Sequence, residues 1–564
     1  MNAIMRDTTS IREQLTASGA PFELDVLTTV TGEYRVYKHA PANLAEVMRQ
    51  SRRQSADCFM VYRDMRWSYN DFNDHVDALA SWMHQRGVGQ GAHVAIAMRN
   101  RPEWAAAFVA VASLGAVPAL LNSFGQTGEL RAALEDINPC LLVCDADRLT
   151  RIGLDYLGDS TPIIVVDESP ADAADNVHAY EQVAATPVQT LPEVMPAPED
   201  TALILFTSGA TSRAKAVVSN HRAVCQALFN IDYISAFTAM TSPAAIERIQ
   251  AMGRPPVILT AVPLFHVSGL HAQLLTALRA GRRLVFMHKW EPKAAIALMQ
   301  QEQVTQFNGA PSMVMQLLRE ADFHTEAVKG GLAGLGLGGS GLPQGLIDEV
   351  LDSVSEQLVG NGYGMTETNG VGAAVSGDLF RLYPDATGLV SPLTEVRILT
   401  PAGDEAAVGE NGEICLRSIT LMDGYLGNEE ATRAALQEGW LRTGDLGHLG
   451  IGGFLYVVDR LKDVINRAGE NIAAAEVESC LLQHPLVQEA AVMGVPDEET
   501  GEAVVAAVAI VPGEALAEAE LQRFVAEHLA SYKVPSMIAI QQETLPRNPA
   551  GKLLKQQIKQ RLMS

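Results

Sequence analysis

From Thr207 to Ala216 the chain reads TSGATSRAKA, placing four side-chain hydroxyls, a glycine and a lysine directly after the apolar run ALILF. Thr207, Ser208, Gly209, Thr211 and Ser212 offer hydroxyls and turn amides to phosphate oxygens, and Lys215 offers a cation for their charge. A Walker A loop requires G-x-x-x-x-G-K-[ST]. Here the second glycine and the trailing hydroxyl are missing, so the P-loop NTPase reading fails. Alone, such a stretch is an ordinary polar turn, and its companions give it meaning. In NGYGMTET, Asn361 to Thr368, Tyr363 suits stacking on a base, while Thr366 and Glu367 suit phosphate and Mg²⁺. In WLRTGDLG, Asp445 suits acceptance from ribose hydroxyls, and in DRLKDVI, Arg460 adds a ribose donor. In LPRNPAGKLLK, Lys552 stands in a glycine-containing segment near the C-terminus.

Taken together and in this order, these segments resemble the class I adenylate-forming superfamily: acyl-CoA synthetases, peptide-synthetase adenylation domains and beetle-luciferase-like enzymes. The resemblance runs from about Asn43 to the end and is acyl-CoA synthetase-like. The hydroxyl loop departs from the superfamily's TSG-TTG-x-PKG pattern at Ala210, Ser212, Ala214 and Ala216, while the hydroxyls and Lys215 are kept. Side chains at former glycine positions restrict the loop's backbone.

The resemblance implies two half-reactions, with ATP and CoA as co-substrates and Mg²⁺ as cofactor. A carboxylate attacks the α-phosphate of ATP to give acyl-AMP and pyrophosphate, and a thiol then attacks the activated carbonyl. It assigns catalysis to Lys552, Thr366 and Glu367, with Glu367 holding Mg²⁺. Nucleotide contacts fall to the hydroxyl loop, Lys215, Asn361, Gly362, Tyr363, Gly364, Asp445 and Arg460. It also implies a C-terminal domain that rotates between half-reactions about Lys462, and a pantetheine tunnel lined by Gly469, where a side chain would block the thiol.

PLFHVSGL matches the superfamily's substrate-side aromatic segment. Amino-acid-activating members tend to carry an Asp there to hold the ammonium, whereas this chain has His266, either a gate to the acyl site or a packing histidine. GLGLGGSGLP, with Gly338 and Gly339, makes a pocket wall with few side chains, and Val262, Met313, Met365 and Val371 are its candidate apolar lining or ordinary core. The expected substrate is a medium- or long-chain fatty acid or a bulky hydrophobic acid. Alternatives are an acyl-AMP ligase loading a carrier protein and a non-catalytic adenylate-binding protein.

These residues need a scaffold. With 564 residues, 48% of them hydrophobic, the chain builds more than one core. Short apolar runs alternating with helical patterns (HVAIAM, CLLVCD, PIIVVD, ALILF, VILTAVPLF, RRLVFM) predict a parallel sheet covered on both faces. The polar stretch Asp167 to Asp200 reads as a connector. From residue 388 to 459 short strands with glycine-rich turns predict antiparallel sheet or a small β-barrel. The fold class is thus α/β: a large N-terminal domain, residues 1–459, of parallel sheets with helices plus that β-rich subdomain, then a small mobile α+β domain, residues 460–564.

A net charge of −24 opposes nonspecific binding to nucleic acid or anionic lipid. Six cysteines without metal or CxxC spacing suit a reducing cytoplasm, and MNAIMRDTTSIREQL lacks a signal-peptide apolar region. The run Trp104 to Leu121 approaches membrane-span length. Gly115 and Pro118 interrupt it, which predicts a buried helix, a glycine stop and a short strand. A homodimer is left open.

Overall fold

The computed structural model of the protein describes residues 3–158, 160–167, 175–207, 213–338, 342, 344–468, 470–548 and 551–563. An eight-stranded sheet runs in the order Gly424–Tyr425, Ala216–Asn220, Thr201–Phe206, Val117–Leu120, His93–Ala97, Leu141–Asp145, Ile163–Val166, Val177–Ala179. It is parallel from Thr201–Phe206 onward and antiparallel at its first two pairings. Its central strands Val117–Leu120, Leu141–Asp145 and Ile163–Val166 are buried at every residue because both faces are covered, and alternation decides which layer each residue joins. Val94 and Ile96 enter the core shared with the second sheet, while Ala95 and Ala97 enter the core behind.

The second sheet has fourteen strands. Its parallel centre comprises Cys58–Tyr62, Arg283–Phe286, Val257–Thr260, Gln306–Gly309, Gly334–Gly338 and Leu358–Met365. Helix Pro102–Ser113 fills the layer between the sheets. Proline at its first turn loses no helical hydrogen bond, and Trp104 and Phe108 stack in the shared core. Gly115, at φ +66°, then turns the chain into strand Val117–Leu120. The long apolar run is therefore helix, stop and strand. Among the described residues no helix is long and apolar enough to cross a membrane.

Two expectations change in detail. VILTAVPLF is a strand only over Val257–Thr260, with a turn leading to a short helix at Val267–Gly269. The connector after Asp167 holds an edge strand and helix Tyr180–Ala184, because Tyr180 and Val183 find apolar cover in the shared core. The β-rich segment is antiparallel, and among the described residues its ladder runs on through Gly388–Val390 into the large sheet instead of standing apart.

A separate five-stranded sheet begins at Ile465. Helices Ala474–Leu482 and Glu518–His528 cover one face through Val477, Leu481, Leu521 and Val525. On the other face Ala491, Met493, Val505 and Ala507 meet Leu545 and Ile558. That second contact pins both ends of the segment that carries Lys552.

Candidate active site

Strands Thr201–Phe206 and Ala216–Asn220 are antiparallel neighbours, with Phe206 opposite Ala216, so the hydroxyl loop leaves and returns at one point. Its ends are tied by Thr207 N donating to Lys215 O at 3.0 Å and Lys215 N donating to Thr207 Oγ1 at 3.1 Å. Ser208, Gly209, Thr211 and Ser212 lie outside the described residues. The Lys215 ammonium sits 4.6 Å from the centroid of the Tyr425 ring. Strand pairing of Tyr425 with Val217 puts it there.

The NGYG segment lies on strand Leu358–Met365, which passes into the turn Thr366–Thr368. Thr368 Oγ1 accepts from Met365 N at 3.0 Å, and Asn369 adopts the left-handed conformation at φ 55°. Met422 N donates to Glu367 O at 2.8 Å, which fastens the turn from outside. Glu367 Oε1 accepts from the Tyr425 hydroxyl at 2.9 Å.

Tyr363, expected to meet a base, is buried, and its hydroxyl donates to Asp445 Oδ2 at 2.6 Å. Asp445 Oδ1 pairs with Arg460 Nε at 2.6 Å, the two residues being cross-strand partners. The expected ribose acceptor and donor thus engage each other. Burial pushes the Asp445 carboxyl up, against Arg460 and Tyr363, which favour the carboxylate.

Lys552 arrives from the C-terminal unit on a loop held as a tight hairpin. Asn548 N donates to Lys552 O at 2.8 Å, Lys552 N donates to Asn548 Oδ1 at 2.9 Å, and Arg547 Nη1 donates to Gly551 O at 2.7 Å. Glu489 holds Arg547 through an ion pair of 3.1 Å and accepts from Leu545 N at 2.6 Å. A Cβ on Gly551 would stand 3.0 Å from Ala310 Cβ and 3.2 Å from Ser312 Oγ, so the loop abuts the N-terminal part. Burial and then the Arg460 charge lower the Lys552 pKa, while Asp445 and Glu367 raise it. Lysine, aspartate and glutamate thus share one field.

A cavity of about 700 Å³ opens between the two parts, with Asn361, Gly362, Tyr363, Gly364, Asp445, Arg460, Lys462 and Lys552 on its wall. His266 lies close enough to feel Lys552. Burial first, then that charge, lower it to about 4, so it is neutral at neutral pH. A Cβ on Gly338 would meet nothing within 4 Å, whereas one on Gly336 would strike Asn308 Oδ1. Val262 and Met313 are buried in the core on the outer face of the large sheet, and Met365 packs against the clusters around Tyr363 and Tyr425. Packing occupies these three residues. Gly339 and Gly469 lie outside the described residues.

Sequence reasoning missed Tyr425, Glu489 and Arg547. Arg547 stood inside the quoted PRNPAGK string, whereas Tyr425 and Glu489 carry no local mark, since their partners are distant in the chain. For Mg²⁺ the residues fit. Among the described residues no group of three or more His, Cys, Asp or Glu could cage a metal ion, and Glu367 presents one hard carboxylate at the Tyr425 side chain that Lys215 also contacts. One carboxylate plus substrate phosphates is the usual Mg²⁺ arrangement.

Two sheets joined through Tyr425, with a small C-terminal unit bringing Lys552 to the wall of a cavity of about 700 Å³, define an enzyme of two domains. Residues 47–426 match the AMP-binding enzyme family and residues 476–552 match the AMP-binding enzyme C-terminal domain. The chain belongs to the AMP-binding enzymes and has the adenylate-forming fold, in its acyl-CoA synthetase branch. It is 31% identical over 500 residues to a probable CoA ligase, CCL5, of Humulus lupulus, covering 86% of each chain. It is 29% identical to 4-coumarate–CoA ligase 3 of Oryza sativa subsp. japonica, covering 88% of this chain and 87% of the relative. Among solved structures it resembles the o-succinylbenzoate CoA synthetase MenE of Bacillus subtilis in complex with its acyl-adenylate (TM-score 0.72, 28% identity, 91% of this chain and 97% of that one). ATP-bound MatB of Rhodopseudomonas palustris aligns with TM-score 0.79 and 25% identity over 92% of this chain and 99% of that one.

Proposed function

We propose that the protein is an ATP-dependent carboxylic acid:CoA ligase that forms acyl-CoA through acyl-AMP, acting on a hydrophobic acid that is either bulky or long-chained. The observation that carries this reading is the placement of Lys552, from the C-terminal unit, in the field of Asp445, Arg460 and Glu367 beside the interdomain cavity. The names of the relatives, a probable CoA ligase and a 4-coumarate–CoA ligase, support the acid–thiol chemistry.

In the first half-reaction the acid's carboxylate oxygen bonds to the α-phosphorus and the bond to pyrophosphate breaks. The Lys552 ammonium, fixed by its hairpin, bridges carboxylate and α-phosphate as charge moves between them. Lys215 and the tied hydroxyl loop hold the outer phosphates, and Arg460 and Asp445 turn to the ribose. Glu367 is the residue that would hold Mg²⁺, which when bound offsets phosphate charge. In the second half-reaction the CoA sulfur bonds to the acyl carbon, AMP leaves and the thiol proton passes to solvent. The C-terminal unit, from residue 460 on, turns about Lys462 between the two steps, which withdraws Lys552 and brings Gly469 to the thiol. Neutral His266 and the open side of Gly338 face the acyl group.

The test is thioester formation with Mg-ATP and CoA across straight-chain, hydroxycinnamic and polycyclic carboxylic acids, with pyrophosphate and AMP followed in parallel. Thioester plus AMP from one chemical class supports the reading and names the acid. Pyrophosphate with bound acyl-AMP and no thioester transfers the assignment to a carrier-protein loader, and no pyrophosphate from any acid refutes it.

A further inference from the structure

Tyr425 is one of the residues through which the two sheets meet near Lys215 and Glu367. It lies on the edge strand Gly424–Tyr425 of the eight-stranded sheet, paired to Val217 two residues after Lys215. Its backbone N donates to Thr432 Oγ1 at 2.9 Å, and a Cβ on the preceding Gly424 would lie 2.8 Å from Thr432 Cγ2, so the backbone that carries the ring is closely held. One face of that ring receives the Lys215 ammonium at 4.6 Å. The hydroxyl, on the same buried side chain, donates to Glu367 Oε1 at 2.9 Å, and Glu367 belongs to the turn that ends a strand of the other sheet.

Lys215 and Glu367 thus touch different parts of one side chain, the ring face and the hydroxyl. Among the described residues Lys215 makes no ion pair with a carboxylate. The aromatic face attracts the ammonium by its quadrupole without neutralising it. The phenol hydroxyl takes only one Glu367 oxygen, and the second is left for a cation.

We infer that Tyr425 is a positioning residue which sets Lys215 and Glu367 at a fixed spacing, unpaired, so that one meets the ATP phosphates and the other their divalent cation. This rests on the proposed roles of Lys215 and Glu367 in ATP use. Its two halves are separable by substitution, since Phe keeps the ring face and loses the hydroxyl, while Leu loses both.

The experiment measures ATP binding by calorimetry, without acid or CoA, in Mg²⁺ and in EDTA, for the native chain, Tyr425→Phe, Tyr425→Leu, Glu367→Gln and the Tyr425→Phe/Glu367→Gln double variant. Thermal unfolding midpoints report folding. Tyr425→Phe is expected to bind ATP in EDTA like the native chain but to lose about fivefold of the tightening that Mg²⁺ confers. Tyr425→Leu is expected to weaken binding in EDTA as well, and Tyr425→Phe to add nothing in the Glu367→Gln background. Should Tyr425→Leu fail to fold, the Phe variant and the double variant still decide. A Tyr425→Phe chain that matches the native in Mg²⁺, or whose loss persists undiminished without the Glu367 carboxylate, overturns the inference alone. A native chain with no affinity for ATP overturns the nucleotide reading beneath it.

Discussion

Arg547 and Glu489 form an ion pair, Nη2 to Oε1 3.1 Å, beneath the hairpin that carries Lys552, and Arg547 passes that constraint on through its bond to Gly551 O. Glu489 comes from the long strand Val487–Asp497, so the sheet helps set the posture of the loop alongside the loop's own Asn548–Lys552 bonds. Glu489→Gln keeps shape and removes the charge. We expect acyl-AMP formation to slow by about tenfold, because a displaced cation loses alignment with the α-phosphate. Thioester formation from supplied acyl-AMP should change little. Single-turnover measurement of each step checks this, and equal losses in both steps would assign Glu489 to general stability.

Lys552→Ala removes the cation itself. Adenylation should fall by about 10²–10³-fold, the scale of losing one preorganised group at a site of developing charge. Acyl-CoA release from supplied acyl-AMP should survive, which pyrophosphate and thioester assays on one preparation can separate. Survival of full adenylation would remove Lys552 from the mechanism.

Tyr363→Phe leaves the buried Asp445 with Arg460 alone. Losing a hydrogen bond to a buried carboxylate costs about 1.5–3 kcal/mol, so both the thermal midpoint and ATP affinity should drop. The Asp445 pKa, already raised by burial, should rise further, since a donor that favoured the carboxylate is gone. An unchanged midpoint and an unchanged KM for ATP would show that the Tyr363–Asp445 contact is incidental.

His271 is fully buried, its ring nitrogens have no partner among the described residues, and burial lowers it to about 4. In the unfolded chain a histidine titrates near 6.5, so between about 6.5 and 4 the unfolded state binds the extra proton. The neutral side chain's contribution is therefore complete above the upper value and is lost as pH falls through the window. His221, also lowered to about 4 by burial, acts in the same direction. His271→Leu should stabilise the protein by about 1 kcal/mol at neutral pH by removing unsatisfied polar atoms, and should flatten the acid slope. Urea midpoints from pH 4 to 8 test both effects. A variant with the native slope would exclude His271 as its source.

Most of the scaffold was legible along the chain. Strands buried on both faces read as apolar runs whatever they pack against, so five of the six predicted parallel-sheet runs reappear nearly at full length. VILTAVPLF was cut to Val257–Thr260 because Pro263 O accepts from His266 N and bends the chain out of the ladder. The helix in the supposed connector was invisible because Tyr180 and Val183 are two apolar residues in a polar stretch, and only the core they enter makes them a helix face.

By itself the sequence determined the chemistry on offer: hydroxyls with Lys215, a carboxylate at Glu367, the Asp445 and Arg460 pair of charges, and Lys552 near the end. Residue type and local spacing are enough for that. Only the tertiary structure decided that Tyr425 stands between Lys215 and Glu367, that Tyr363 and Arg460 divide the Asp445 carboxylate, and that Glu489 holds the Lys552 loop. Each is a contact between segments far apart in the chain, settled by strand register and sheet packing, and a side chain's partner across such a distance leaves no periodicity to read.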